Sequence, residues 1–218
     1  MPRALFLFAV TLVCAVNPLF AAEKPATTLW YSQPAEKWTD ALPIGNGRMG
    51  AMIFGGIFDE RIQFNEDTLW KGQPHDYVRA GASEHLAEIR QLLADDKPTD
   101  AAALAKATFL SDPIRQKAYQ PFGDLRVHFA GTGDVTDYRR ELDLDSAIAR
   151  VSYKVGDVTF KREIFASYPD RVIVLHLSAD KPGQIGFTLK LDSPQTNSQT
   201  QAIATNTLAL TGQVEVGG

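Results

Sequence analysis

The sequence predicts a mainly β fold, an antiparallel β-sandwich with a short two-helix insertion, and three observations predict it. From residue 119 to residue 218, short alternating or apolar runs recur at close intervals between turn residues, the pattern of a sandwich rather than of alternating strands and crossover helices. Helical periodicity is confined to one stretch, near residues 83–110. The single cysteine, Cys14, lies in the leader, so the remaining chain has no disulfide and must be held by its own core, which favours a sizeable domain.

The first 22 residues read as a secretory signal peptide. Arg3 supplies the positive start, Ala4 to Val16 is apolar apart from Thr11, Asn17 and Pro18 break the run, and Ala21-Ala22 offers small residues for cleavage. The run is well short of the roughly 20 residues of a spanning helix. Cleavage after residue 22 removes Arg3 and no acid, moving the net charge from −4 to −5. The mature chain, 23–218, is expected in the periplasm or outside the cell. Glu23 to Thr28, with Pro25, reads as a polar lead-in.

Residues 29–80 follow as β structure rich in aromatics, with Trp30, Trp38 and Trp70 all inside them. Met49 to Phe54 is apolar and closes on Gly55-Gly56, and Arg61 to Asn65 alternates with the period of a half-buried strand. Ser83 is a candidate N-cap for a helix over 83–94 anchored by Leu86, Ile89, Leu92 and Leu93, which Asp95-Asp96-Lys97-Pro98 ends. Thr99 is a candidate cap for a second helix over 99–110, with Leu104 and Phe109 as anchors, stopped at Ser111-Asp112-Pro113. Beyond it, Leu125 to Phe129 puts Leu125, Val127 and Phe129 on one face, and Arg139 to Leu144 alternates less cleanly. Ile148 to Tyr153 pairs with Val158 to Ile164 across Val155-Gly156-Asp157, and Tyr168-Pro169-Asp170 marks another turn. Val172 to Leu177 is apolar enough for a strand buried on both faces, and Ile185 to Leu191 and Thr207 to Leu210 add two more. The end at Val216-Gly217-Gly218, directly after a strand, reads as truncated.

Composition narrows the function. Apolar residues make up 44% and charged residues 22%, ordinary for a globular protein, with acids and bases mixed along the chain. No basic block exists to grip phosphates or an anionic membrane, which argues against a nucleic-acid or membrane partner after signal cleavage. The histidines, His75, His85, His128 and His176, have no metal-ligand spacing, and no G-x-S-x-G nucleophile motif occurs.

Two motifs remain. Gly45-Asn46-Gly47-Arg48-Met49-Gly50 matches the G-x-G-x-x-G pattern, but a dinucleotide site needs a helix after it, and Ala51 to Gly56 is strand-like; a tight turn at Asn46-Gly47 is the better reading. Asn65-Glu66-Asp67-Thr68-Leu69-Trp70 sets two carboxylates beside an amide. Neighbours on a strand point to opposite faces, so Glu66 and Asp67 are poorly placed to act together as acid and base on one substrate. The alternative is that Asp67 or Asn65 caps a turn while Glu66 pairs with a base such as Arg48. Asn46, Arg48, Asn65, Glu66, Asp67 and Trp70 are therefore the candidate substrate-binding or interdomain residues, with no catalytic residue and no metal ligand assigned. Trp30, Tyr31, Trp38, Trp70 and Tyr77 suit either sugar stacking or a buried interface.

Three segments together resemble the start of glycoside hydrolase family 95, the α-L-fucosidases. They are Leu29-Trp30-Tyr31 with Trp38 and Ala41 to Met52, then Glu60 to Trp70, then Tyr119-Gln120-Pro121-Phe122-Gly123-Asp124-Leu125, with a helical hairpin between the last two. The resemblance covers residue 29 to the C-terminus. It implies an N-terminal β-supersandwich packed on an (α/α)6 catalytic barrel that would lie C-terminal to this chain. It also implies hydrolysis of terminal, typically α-1,2-linked, L-fucose from a fucosylated glycan, with inversion and without metal or cofactor. The family's catalytic residues lie in that barrel, so the 218-residue chain is expected to brace the site and to be inactive alone. The rival readings are a related sugar phosphorylase and a free-standing carbohydrate-binding module.

Overall fold

A computed structural model describes residues 27–214; the signal peptide and most of the lead-in lie outside the described residues. Twelve strands are present there: β1 (Thr28–Tyr31), β2 (Leu42–Gly45), β3 (Met49–Ile53), β4 (Asp59–Glu66), β5 (Gly123–Phe129), β6 (Val135–Asp143), β7 (Ile148–Val155), β8 (Val158–Ser167), β9 (Val172–Ala179), β10 (Phe187–Asp192), β11 (Gln199–Ala204) and β12 (Thr207–Thr211). One five-stranded sheet runs β1-β6-β7-β8-β9, a second runs β10-β5-β4-β3-β2, and β11-β12 form a separate ribbon. Every pairing is antiparallel. The expected sandwich is what forms.

The core lies between the two sheets. Leu42, Ile44, Ala51, Ile53 and Ile62 from the second sheet meet Leu142, Ala149 and Ile164 from the first. The two-residue period of each strand supplies this, since Leu42 and Ile44, Ala51 and Ile53, and Ala149 and Val151 are alternate positions. Ile53 and Ile164 are fully enclosed, and burying each such side chain contributes about 1.5–3 kcal/mol. The β7–β8 hairpin forms as expected, in the register Val155↔Val158, with Gly156 supplying the positive φ of 59° at its turn.

Several expectations are corrected. Ser83 caps nothing: it lies inside a 3-10 turn, Ala82–His85, and the helix α1 (Leu86–Ala94) begins after it. The second helix, α2 (Pro98–Leu104), starts at Pro98 rather than after Thr99, because the first turn of a helix needs no N–H from Pro98 and favours its fixed φ. It passes into a π-helical turn, Ala105–Phe109. Ile89 and Ala101 are the buried residues of the hairpin, whereas Leu93 and Phe109 are exposed. The apolar strand β9 is not buried on both faces; it is the edge of its sheet, and Val172 is 43% exposed. The imperfect alternation in β6 has two causes, a bulge between Thr136 and Arg139 and an arginine, Arg140, on the inward face. No helix among the described residues is long and apolar enough to cross a membrane.

Candidate functional site

The end of the second sheet where β3 begins and β4 finishes gathers the candidate residues. Asn46 builds the β2–β3 turn. Its Oδ1 accepts from the N–H groups of Arg48 (3.1 Å) and Met49 (2.8 Å), Gly47 takes φ 85°, and Asn46 Nδ2 donates to Ser167 O at 2.7 Å, tying the turn to the other sheet. A strand follows, not a helix, so the dinucleotide reading fails and the tight turn stands. The turn also aims Arg48: its Nε donates to Glu66 Oε1 at 2.8 Å, and its carbonyl accepts from Asp67 N at 2.9 Å.

Glu66 is the organising carboxylate. Beyond Arg48, its Oε2 accepts from Thr68 N (2.9 Å) and Thr68 Oγ1 (2.5 Å). The Thr68 hydroxyl and N–H, with a smaller contribution from Arg48, hold its carboxyl below the ordinary 4.5. A carboxylate committed in this way is poorly suited to accept or deliver a proton near neutral pH. Asp67 is exposed, with no hydrogen bond or ion pair to its carboxylate among the described residues. The expected pairing of Glu66 with Arg48 is therefore present, and the turn is capped by Glu66 itself rather than by Asp67.

The third segment joins the same surface. Asn65 Nδ2 donates to Gln120 O at 2.9 Å, Tyr119 Oη donates to Glu66 O at 2.9 Å, and Trp70 forms an isolated bridge with Tyr119. The rings of Trp70 and Tyr119 are 5.1 Å apart and tilted by 56°, and the indole N–H donates to Asp67 O at 2.9 Å. Burial, with Asp67 and Glu66 nearby, pushes the Tyr119 hydroxyl up, so it stays a donor. All six candidates thus sit on one surface. Thr68, Tyr119 and Gln120 belong with them but were not singled out. Thr68 acts locally, two residues from Glu66, whereas the roles of Tyr119 and Gln120 depend on a chain reversal of more than 50 residues that no local pattern reveals.

A second polar cluster lies between the sheets and was not anticipated. Arg162 on β8 donates to Glu60 Oε2 on β4 at 2.8 Å, to Tyr153 Oη at 2.8 Å, and to the carbonyls of Gly56 and Ile57. Glu60 Oε1 accepts from the N–H groups of Gly55 (2.8 Å) and Arg61 (3.1 Å). Burial pushes the Glu60 carboxyl up, while Arg162 and those N–H groups draw it back. Arg140 donates to Gln33 O and Asp40 O, and Tyr138 to Gly55 O at 2.6 Å. The Glu60 and Arg162 side chains are 0% and 2% exposed and commit their polar atoms to one another and to the 55–57 loop, so this cluster ties the sheets together.

The sequence matches the profile described as "Glycosyl hydrolase family 65, N-terminal domain" across residues 29–218. The chain belongs to that family. As a family 65 N-terminal domain it corresponds to the expected part of a glycoside hydrolase, although the motif resemblance above is to family 95. It is 46% identical over 168 residues to the Arabidopsis thaliana protein named Alpha-L-fucosidase 2, covering 76% of this chain and 20% of that protein. It is 33% identical over 217 residues to the Aspergillus niger protein named "Probable alpha-fucosidase A", covering 92% of this chain and 26% of that one. The Aspergillus oryzae protein of the same name is 28% identical over 163 residues, covering 71% and 22%. The family 65 N-terminal domain described here spans between a fifth and about a quarter of the length of these relatives. Among its described residues, no group of three or more His, Cys, Asp or Glu side chains is placed to hold a metal ion.

Proposed function

We propose that this chain is the front domain of an exported glycoside hydrolase that releases terminal α-1,2-linked L-fucose from fucosylated glycans with inversion, and that it braces a catalytic (α/α)6 barrel following it in the polypeptide. The observation that carries the reading is the convergence of residues 45–50, 65–70 and 119–124 at one partly exposed end of the second sheet, held by Arg48–Glu66, Asn65–Gln120 and Tyr119–Glu66 contacts. These are the segments that carry the fucosidase resemblance, and the similarity to proteins named as fucosidases supports the same substrate class. An inverting glycosidase needs a protonated carboxylic acid and a carboxylate base about 6.5–9.5 Å apart across the scissile bond. Glu66 is committed to Arg48 and Thr68 and Glu60 is enclosed, so neither is available for that work and the chemistry belongs to the barrel.

The test is hydrolysis of 2'-fucosyllactose by the full-length protein, followed by NMR. Release of β-L-fucose as the first anomer, without added phosphate, is expected. Release that requires inorganic phosphate would place the protein among phosphorylases, and turnover by the 218-residue chain at the full-length rate would overturn the bracing role. Export is checked by N-terminal sequencing of secreted material, which should begin near Glu23.

A further inference from the structure

At the rim of the bracing surface, sharing Trp70 with it, lies an open cleft of about 420 Å3 whose lining includes Trp70, Lys71, Gln73, Tyr77, Gln116 and Lys117. That volume falls in the range of roughly 300–1,000 Å3 typical of small-molecule sites. We infer that this cleft is a binding subsite for a saccharide, with Trp70 as its stacking floor. The inference rests on the glycoside hydrolase reading above and deepens it, since the domain would then hold glycan as well as brace its neighbour.

The aromatic candidates are not equivalent. Trp30 and Tyr31 each have a guanidinium over the ring, from Arg139 at 4.8 Å and Arg140 at 4.0 Å. Trp70 and Tyr77 are the two that line the cleft. Trp70 is 49% exposed while its one polar atom is already bonded to Asp67 O, and its neighbour Tyr119 donates its hydroxyl to Glu66 O. What remains outward is apolar ring surface, held still by two hydrogen bonds and a backbone bridge. The Trp70 indole has no polar handle left for a hydrogen-bonding ligand, and its open face fits the C–H face of a sugar ring. Tyr77 stands edge-on to His75 at 4.9 Å on the cleft wall, and His75 Nε2 is fixed 3.1 Å from Asp112 O.

Sugar hydroxyls need donors and acceptors around that floor. Lys71, Gln73, Gln116 and Lys117 line the cleft, and none of these four side chains has a hydrogen bond or ion pair among the described residues. Gln73 and Gln116 each offer a carbonyl oxygen and two donors, and the lysines three donors each. An apolar floor with uncommitted amides and ammonium groups at its rim is the division of labour that a saccharide requires.

The experiment is saturation-transfer NMR on the full 218-residue chain with 2'-fucosyllactose, and with sialyllactose as the acidic comparison. Transfer to sugar ring protons is expected from the unmodified chain, with Trp70→Ala weakening binding about tenfold or more and Trp30→Ala leaving it unchanged. Stronger transfer to sialyllactose would assign the lysines to an acidic sugar and support the subsite. If Trp70→Ala fails to fold by circular dichroism, Gln73→Ala with Lys117→Ala serves instead and should weaken binding at least about threefold. Absent transfer to both sugars, or transfer that survives Trp70→Ala or is lost equally in Trp30→Ala, overturns the subsite. None of these results depends on fucose release by the full-length protein, so the two readings fail separately.

Discussion

Arg162 Nη1 lies 2.8 Å from Glu60 Oε2, joining β8 of one sheet to β4 of the other across 102 residues of sequence. The pair replaces what would be an aliphatic contact at the centre of the sandwich. Desolvating two charges is costly, and here the remaining lone pairs and protons are matched by Gly55 N, Arg61 N, Gly56 O, Ile57 O and Tyr153 Oη. The pair therefore fixes how the loop at residues 55–57 docks on the opposite sheet.

Removing one partner strands the other. Glu60→Gln keeps an acceptor for the two N–H groups but leaves Arg162 buried without a counter-charge, and should cost about 3–5 kcal/mol in urea unfolding. Glu60→Leu combined with Arg162→Leu should recover part of the loss, since no lone charge remains. Full recovery is not expected, because the carbonyls of Gly56 and Ile57 lose the Arg162 donor and Ile57 O keeps only the longer bond from Tyr153 Oη.

Gly55 has φ 73°, and a Cβ there would meet Tyr138 Oη at 2.6 Å and Arg140 Cδ at 3.0 Å. Gly55→Ala should destabilise the domain through both strain and collision, with the backbone part alone about 1–3 kcal/mol. Adding Tyr138→Phe removes the nearest contact atom, so the double variant should be penalised less than the sum of the two single variants, as measured by a double-mutant cycle.

The Arg48–Glu66 pair should matter little to the domain by itself. Arg48 is half exposed, and an exposed ion pair contributes about 0–1 kcal/mol. Arg48→Ala should leave the midpoint of this chain nearly unchanged, while weakening association of the front domain with the remainder of the full-length enzyme in limited proteolysis.

Glu66 gives that surface a pH dependence with a definite sign. Its folded carboxyl is held below the ordinary 4.5, so its stabilisation is present above that value and is lost as pH falls through the lower folded one. Unfolding of the unmodified chain and of Glu66→Gln should therefore differ at pH 7, and the difference should close under strongly acidic conditions.

The strands β9 and β10 are the edges of their sheets, and Val172, Ile185, Phe187 and Leu189 on or beside them are exposed. An apolar cleft of about 190 Å3 lined by Phe58, Phe129, Phe160, Leu177 and Ile185 opens on the same side. Unpaired edges with apolar side chains promote association. The 218-residue chain should bind a hydrophobic dye and sediment partly as oligomers, and Phe187→Lys should reduce both.

By itself the sequence determined what depends on a few neighbouring residues. Alternation put Leu125, Val127 and Phe129 on one face of β5, where Val127 is buried and Leu125 packs on the core. Gly156 marked the β7–β8 turn and Asn46-Gly47 the β2–β3 turn, because positive φ and side-chain capping are local demands. The expected partner of Glu66 was also legible, since opposite charges flanking two adjacent strands have few other choices. Tertiary structure decided the rest. An inward arginine reads in sequence as a break in pattern, and only distant partners make it tolerable in the core: the carbonyls of Gln33 and Asp40 for Arg140, and the docked loop at 55–57 with Glu60 for Arg162. The apolar run in β9 could not announce that one side of it lacks a neighbour. Nor could residues 65–70 announce Tyr119 and Gln120, because that contact closes a long excursion through the helical hairpin and follows on from the β4–β5 pairing rather than from any local propensity.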